Sequence, residues 1–163
     1  MTTAVPAKRR AILLFMLNRS GVLNKISTLI RRKMYNVETI TACTTAPQSG
    51  ISRMTLTLRE DSDQNMRQVV KQIEKMTEVI SARELDINES FWREVAIVKF
   101  HADETKLQRL QDTHVFDILD RQDQDVYAAQ IAGTSQMIDE FIQAVGERRV
   151  LEVARSGFTA MEK

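Results

Sequence analysis

One order of hydrophobic periodicities runs through this chain twice, and that repetition constrains its fold more than any other feature. In the first pass, residues 11–17 form a short apolar run, Ala11 to Leu17, that reads as a strand buried on both faces. Asn18, Arg19, Ser20 and Gly21 make a turn. Val22, Leu23, Ile26, Leu29 and Ile30 then recur at the spacing of an amphipathic helix, closed by Arg31, Arg32 and Lys33, whose charge suits a helix C-terminus. Residues 35–45 alternate and are rich in β-branched side chains, with Val37, Thr39, Thr41 and Cys43 on one side and Asn36, Glu38, Ile40 and Ala42 on the other. A turn at 47–50 leads to a second alternating run, 51–58, completing a hairpin. Asp61, Ser62 and Asp63 open a helix with the buried stripe Met66, Val69, Val70, Ile73 and Met76, and residues 79–85 form a last strand.

The second pass repeats the order. Strands are expected at 93–100, 115–119, 126–132 and 150–154, with a turn at 121–125. Helices are expected at 103–113 and at 135–145, the latter capped by Ser135 or Thr134 and buried through Met137, Ile138, Phe141, Ile142 and Val145. Strand, helix, strand, strand, helix, strand is the split βαβ or ferredoxin-like arrangement, in which two helices cover one face of an antiparallel sheet. The expected fold is therefore α+β, with two βαββαβ units. Residues 1–8 form a loose tail, 9–86 the first domain and 87–163 the second.

Composition removes several classes of function. The net charge of +1 offers no field for nucleic acid or an anionic membrane. The one cysteine, Cys43, excludes an internal disulfide and fits a reducing compartment. It reads as a small buried side chain. No apolar run reaches the ~18 residues of a membrane span, and the N-terminus lacks a secretion signal. The expected location is the cytoplasm. His101 and His114 are isolated, so no standard zinc site is available, and neither a P-loop nor a dinucleotide fingerprint occurs. The carboxylates sit at helix starts and on polar faces. No acid–base constellation points to an enzyme.

The turn at Asn18–Arg19–Ser20–Gly21 is sharper. A helix begins directly after it, and a helix N-terminus offers unpaired N–H groups that can hold a carboxylate. Gly21 would let a ligand approach the backbone, and the Asn18 amide can both donate and accept. These are the parts an amino-acid site needs. The same residues also read as a helix cap and nothing more, and the local sequence leaves both readings open.

A resemblance bears on that choice. Leu17-Asn18-Arg19-Ser20-Gly21-Val22-Leu23 is similar to an N-x-x-G-A-L loop, and Tyr35-Asn36-Val37-Glu38-Thr39-Ile40-Thr41 to a Y-N-I-E-S-L-T strand. Ser52-Arg53-Met54-Thr55 matches S-R-M-T, and Arg93-Glu94-Val95-Ala96-Ile97-Val98-Lys99 is similar to R-E-x-x-L-V-K. Ala132-Gly133-Thr134-Ser135 and Glu152-Val153-Ala154-Arg155-Ser156-Gly157 complete the set. In this order and spacing, over residues 10–160, they resemble the small regulatory subunits of acetolactate synthase (acetohydroxyacid synthase).

The resemblance implies that the first unit is an ACT domain, an amino-acid sensor that pairs with a second copy and binds effector at the interface. It implies a regulatory, non-catalytic subunit in branched-chain amino-acid biosynthesis. Such a subunit stimulates a catalytic large subunit and can confer feedback inhibition, with valine as the expected effector. Thiamine diphosphate, magnesium and flavin (FAD) would belong to that partner, with no cofactor on this chain. By position, Asn18, Ser20, Gly21, Val22 and Leu23 fall in the effector loop, and Asn36 and Val37 in the strand that reaches the ligand from the other protomer. Three residues depart from the pattern. Met34 replaces a glycine, which costs on the order of 1 kcal/mol if the position is left-handed. Val22 and Asn24 are larger than the family's alanine and serine beside the expected pocket. The alternative function is a free-standing ACT-type sensor acting on another enzyme or a transcription factor.

Overall fold

A computed structural model describes residues 8–46, 48–122 and 125–163. The expected tail lies outside the described residues except for Lys8, as do Pro47 of the first turn and residues 123 and 124 of the second. The elements follow the expected order twice. They are β1 (Arg9–Leu17), α1 (Val22–Arg32), β2 (Asn36–Thr44), β3 (Ile51–Arg59), α2 (Asp63–Glu74) and β4 (Val79–Leu85) in the first pass. The second pass has β5 (Ser90–His101), α3 (Glu104–Thr113), β6 (Asp117–Gln122), β7 (Val126–Gly133), α4 (Ser135–Val145) and β8 (Val150–Arg155), and a further strand, β9 (Thr159–Glu162), follows.

The first sheet runs β2-β3-β1-β4, all antiparallel, and leaves β2 and β4 as edges. Ile12, Leu14 and Met16 of β1 meet Met54, Leu56 and Leu58 of β3 beneath Val22, Ile26 and Ile30 of α1 and Met66, Val69 and Ile73 of α2. Ser62 caps α2 by accepting from the Asn65 N–H at 3.2 Å. Arg10, buried on β1, holds Glu84 with two nitrogens at 2.6 and 2.9 Å and Asp63 at 2.6 Å, which ties β4 and the start of α2 to the central strand.

Strand β2 departs from simple alternation. Its register shifts between Val37 and Thr39, so Val37 faces Leu58 and Ile40 faces Leu56, and both lie on the helix side. The extra residue of a bulge produces this switch. It also turns Glu38 toward two arginines, Arg9 and Arg59, each at 2.5 Å. Burial alone would push the Glu38 carboxyl up, but the hydrogen bonds and charges of Arg9 and Arg59 outweigh it and hold the group below the ordinary carboxylate value. Cys43 is exposed rather than buried, because β2 is an edge strand.

Helix α1 ends with Met34 at φ 59. The Tyr35 N–H donates to the Ile30 carbonyl at 3.4 Å and the Met34 N–H to Arg31 at 3.1 Å, the bonding of a Schellman turn. Met34 is 88% exposed, so no packing compensates for its left-handed backbone. Met34→Gly should raise stability by about 0.5–1 kcal/mol, glycine's larger unfolded-state entropy taking back part of the gain. Thermal denaturation would read this as a midpoint a few degrees higher, and a lower midpoint would contradict it.

The face of the first sheet away from the helices is not open. Ala11, Leu13, Thr55, Thr57 and Leu85 are all buried there. The contacts divide the chain between Phe91 and Trp92 and return Phe158–Lys163 to the first unit. This division differs from the boundary at 86/87 expected from sequence, which keeps the C-terminus with the second domain. Strand β9 within this segment pairs with β5, and three arginines hold the segment to the first sheet. The Arg9 guanidinium lies 5.1 Å from the Phe158 ring centre, Arg53 donates to the Ala160 carbonyl, and Arg83 pairs with Glu162 at 2.5 Å.

In the second unit the sheet order is β6-β7-β5-β8. Ala96, Val98 and Phe100 of β5 and Tyr127, Ala129 and Ile131 of β7 pack under Leu110 of α3 and Ile138, Phe141 and Val145 of α4. Thr134, not Ser135, caps α4. Strand β6 starts two residues later than expected and runs through Asp120, Arg121 and Gln122, the last two of which fall in the expected turn. Their backbone pairs with Val126, Tyr127 and Ala128, and an edge strand exposed along its whole length needs no apolar alternation.

Candidate functional site

At one end of the first sheet, β1 passes through Asn18, Arg19 and Ser20 into α1. The Leu17 N–H is held by the Glu78 carbonyl and the Asn18 N–H by the Gly50 carbonyl, each at 2.8 Å. The loop backbone is thereby fixed while its side chains remain exposed. Gly21 caps the helix with φ 86 and makes no side-chain cap bond. A Cβ built there would meet nothing within 4 Å, so the backbone angle and not crowding calls for glycine. Helix α1 therefore begins with its first-turn amides unclaimed by any side chain, the arrangement that receives an anionic group.

An open hollow of about 290 Å³ lies beside this turn. Asn18, Arg19, Val22 and Leu23 line one side, and Met16, Leu17, Ser52, Ala42, Cys43 and Thr44 complete it. Lys25 is engaged by Glu78, whereas Arg19 makes no ion pair among the described residues. The lining joins a few polar groups to small aliphatic ones. It can hold a carboxylate at the helix start and a short apolar side chain against Leu17, Val22 and Ala42. No general acid or base stands there, and no cluster of metal-binding side chains occurs among the described residues.

The structure brings together part of the residue set expected from sequence. Asn18, Val22 and Leu23 line the hollow, whereas Ser20 and Gly21 belong to the turn into α1 and are not among its lining residues. Val22 is 4% exposed and belongs to the core as well, so its extra bulk is absorbed largely by packing. Asn24 is exposed and does not line the hollow. Asn36 and Val37 stand at the far end of β2, where Asn36 pairs with Arg59, while Thr44 beside the hollow pairs with Ser52. At ~3.3 Å per residue, Asn36 lies about 26 Å from the hollow of its own chain. Sequence reasoning misses Met16, Leu17, Ala42, Cys43, Thr44 and Ser52, and it places Arg19 in the turn without giving it a place in the site. The expected hairpin carries a usable signal, since its open end must meet the end of β1 once β3 pairs with that strand.

Comparison with known proteins agrees over both units. A family model described as the acetohydroxyacid synthase small subunit-like ACT domain matches residues 12–81. A second, described as the small subunit of acetolactate synthase, matches residues 93–163. The chain is 33% identical to a probable acetolactate synthase small subunit of Methanothermobacter thermautotrophicus, over 90% of this chain and 88% of the relative. It is 31% identical to the acetolactate synthase isozyme 3 small subunit of Escherichia coli, over 95% and 96%. Its fold is similar to the crystal structure of the acetolactate synthase small subunit from Thermotoga maritima, with a TM-score of 0.85, 24% identity, and coverage of 96% of this chain and 98% of that one.

Proposed function

Since the chain belongs to the family of acetolactate synthase small subunits, we propose that it is a non-catalytic regulatory subunit that stimulates a thiamine-diphosphate-dependent large subunit and transmits inhibition by valine. The observation that carries this reading is the hollow at the β1–α1 turn, with uncapped helix amides on one side and small aliphatic side chains on the other. In this reading the valine carboxylate sits on the helix start, the Asn18 amide accepts from the ammonium, and the isopropyl group rests on Leu17, Val22 and Ala42.

A second copy completes the site. Strand β2 is an edge, and an edge strand offers an unpaired row of N–H and C=O groups. Pairing β2 with its own copy about a twofold axis at Ile40 aligns the two strands over their full length. The end of each β2 that carries Asn36 and Val37 then lies alongside the Thr44 end of the other copy, near the hollow that its own chain cannot reach. The homodimer thus gives Asn36 and Val37 a role that one chain denies them. The large subunit supplies thiamine diphosphate, magnesium and FAD, and this chain works beside it in the cytoplasm.

The test is acetolactate formation by the cognate large subunit, with and without this protein, across a valine titration. Stimulation several-fold, with inhibition by valine that Asn18→Ala relieves while stimulation persists, is the expected result. Stimulation with no valine response would remove the effector from the reading. No stimulation and no complex by gel filtration would overturn the reading and favour a free-standing sensor.

A further inference from the structure

The last six residues are held in a way that reaches the candidate site. The chain is anchored at Ser156, whose N–H donates to the Val95 carbonyl at 2.9 Å, and then turns at Gly157, φ 76. Phe158–Lys163 next lies along the helix-free side of the first sheet, its contacts falling on alternate residues: Phe158 against Arg9, Ala160 on Arg53, Glu162 on Arg83. Phe158 and Ala160 are 5% and 1% exposed, so the segment is seated and not merely tethered.

Two strands connect this segment to the hollow. Phe15 pairs with Arg53, and the next pair is Met16 with Ser52. Successive side chains of a strand point to opposite faces. Arg53, which holds the C-terminal segment and lies 5.9 Å from the Phe15 ring centre, is thus the neighbour of a pair that lines the hollow on the other face. Arg9 joins the segment to the β2 edge as well, because it holds Phe158 and Glu38 of β2 together. The Arg53 Nε is buried with no hydrogen-bond partner among the described residues. A buried unmet donor is costly, so this clasp is the place where a second arrangement of the segment loses least.

We propose that Phe158–Lys163 is a regulatory strap whose docking braces the ends of β1 and β3, so that a docked strap favours effector binding and bound effector favours a docked strap. The inference rests on the effector reading above. Linkage makes the two effects equal in size, since each is the same coupling free energy seen from one site. A strap that orders the wall before the ligand arrives also removes that ordering from the ligand's own cost.

The test uses the full chain. Glu162→Arg sets two like charges together at an exposed rim pair and leaves the core intact, and Phe158→Ala removes the seated ring. Deletion of 158–163 is the stronger variant, though it uncovers buried residues of the sheet. Calorimetry with valine should show Kd at least threefold weaker in Glu162→Arg and in Phe158→Ala than in the wild type. Hydrogen exchange of the wild-type amides at 158–163 should slow by a similar factor at saturating valine. Unchanged Kd in both point variants, with strap exchange indifferent to valine, would overturn the strap while leaving the effector reading intact. No valine binding by the wild type would overturn both.

Discussion

Phe141→Ala is expected to unfold the second unit or to lower its stability by about 3–5 kcal/mol, the range for removing a large aromatic side chain from a packed core. Phe141 is fully buried on α4. Its ring meets Phe100 edge-on at 5.9 Å, Phe116 at 4.9 Å and His114 at 5.6 Å. One side chain thus joins the central strand β5, helix α4 and the segment that leads into β6. A unit of this size is only marginally stable. At roughly 4–8 °C per kcal/mol for a small domain, its melting transition should fall by more than about 10 °C or disappear. Phe141→Leu keeps most of the apolar volume and should cost much less. Scanning calorimetry, resolving the transitions of the two units, checks this. A loss below about 1 kcal/mol would mean that α4 is not the lid of that core.

Ile40→Asp should convert the proposed dimer to monomer and abolish the proposed inhibition by valine with it. Ile40 sits at the centre of β2, 40% exposed. At the twofold axis proposed above, each substitution faces its own copy, so one mutation sets two carboxylates together. Like charges brought face to face cost several kcal/mol, and each 1.4 kcal/mol is a factor of ten. The dimer dissociation constant should rise by roughly 100-fold or more. Ile40→Thr keeps a β-branched side chain without the charge and should remain dimeric. Sedimentation or gel filtration at micromolar concentration distinguishes the two. A dimer that survives Ile40→Asp would place the protomer contact elsewhere and leave Asn36 without a route to the hollow.

The same two elements show how much is legible in the sequence. The spacing Met137, Ile138, Phe141, Ile142 and Val145 identifies α4 and its inward face by itself, because a helix repeats every 3.6 residues and its burial must follow that period. The run from Ala11 to Leu17 likewise identifies a strand buried on both faces, though not what buries the second one. The turn at Asn18 to Gly21 is recognisable from its residues alone, and the resemblance adds Asn36 and Val37. Strand β2 resists, since a bulge at Glu38 moves Val37 to the other face, and no periodicity announces an inserted residue.

Sequence by itself determined the elements up to β8, their order, the two helix-covered sheets and the turn that leads into α1. Each of these follows from local propensity and periodicity, which act over a few residues. Tertiary structure alone decided that Ala42, Cys43, Thr44 and Ser52 meet Asn18 across a hollow, and that Cys43 lies open on an edge. It also decided that Asn36 stands at the wrong end of its own sheet, and that Phe158–Lys163 leaves the unit it follows in sequence for three arginines on the other. Those facts depend on strand pairing and on contacts between residues far apart in the chain, as Arg53 and Ala160 are at a separation of 107, and such pairings leave no trace in local spacing.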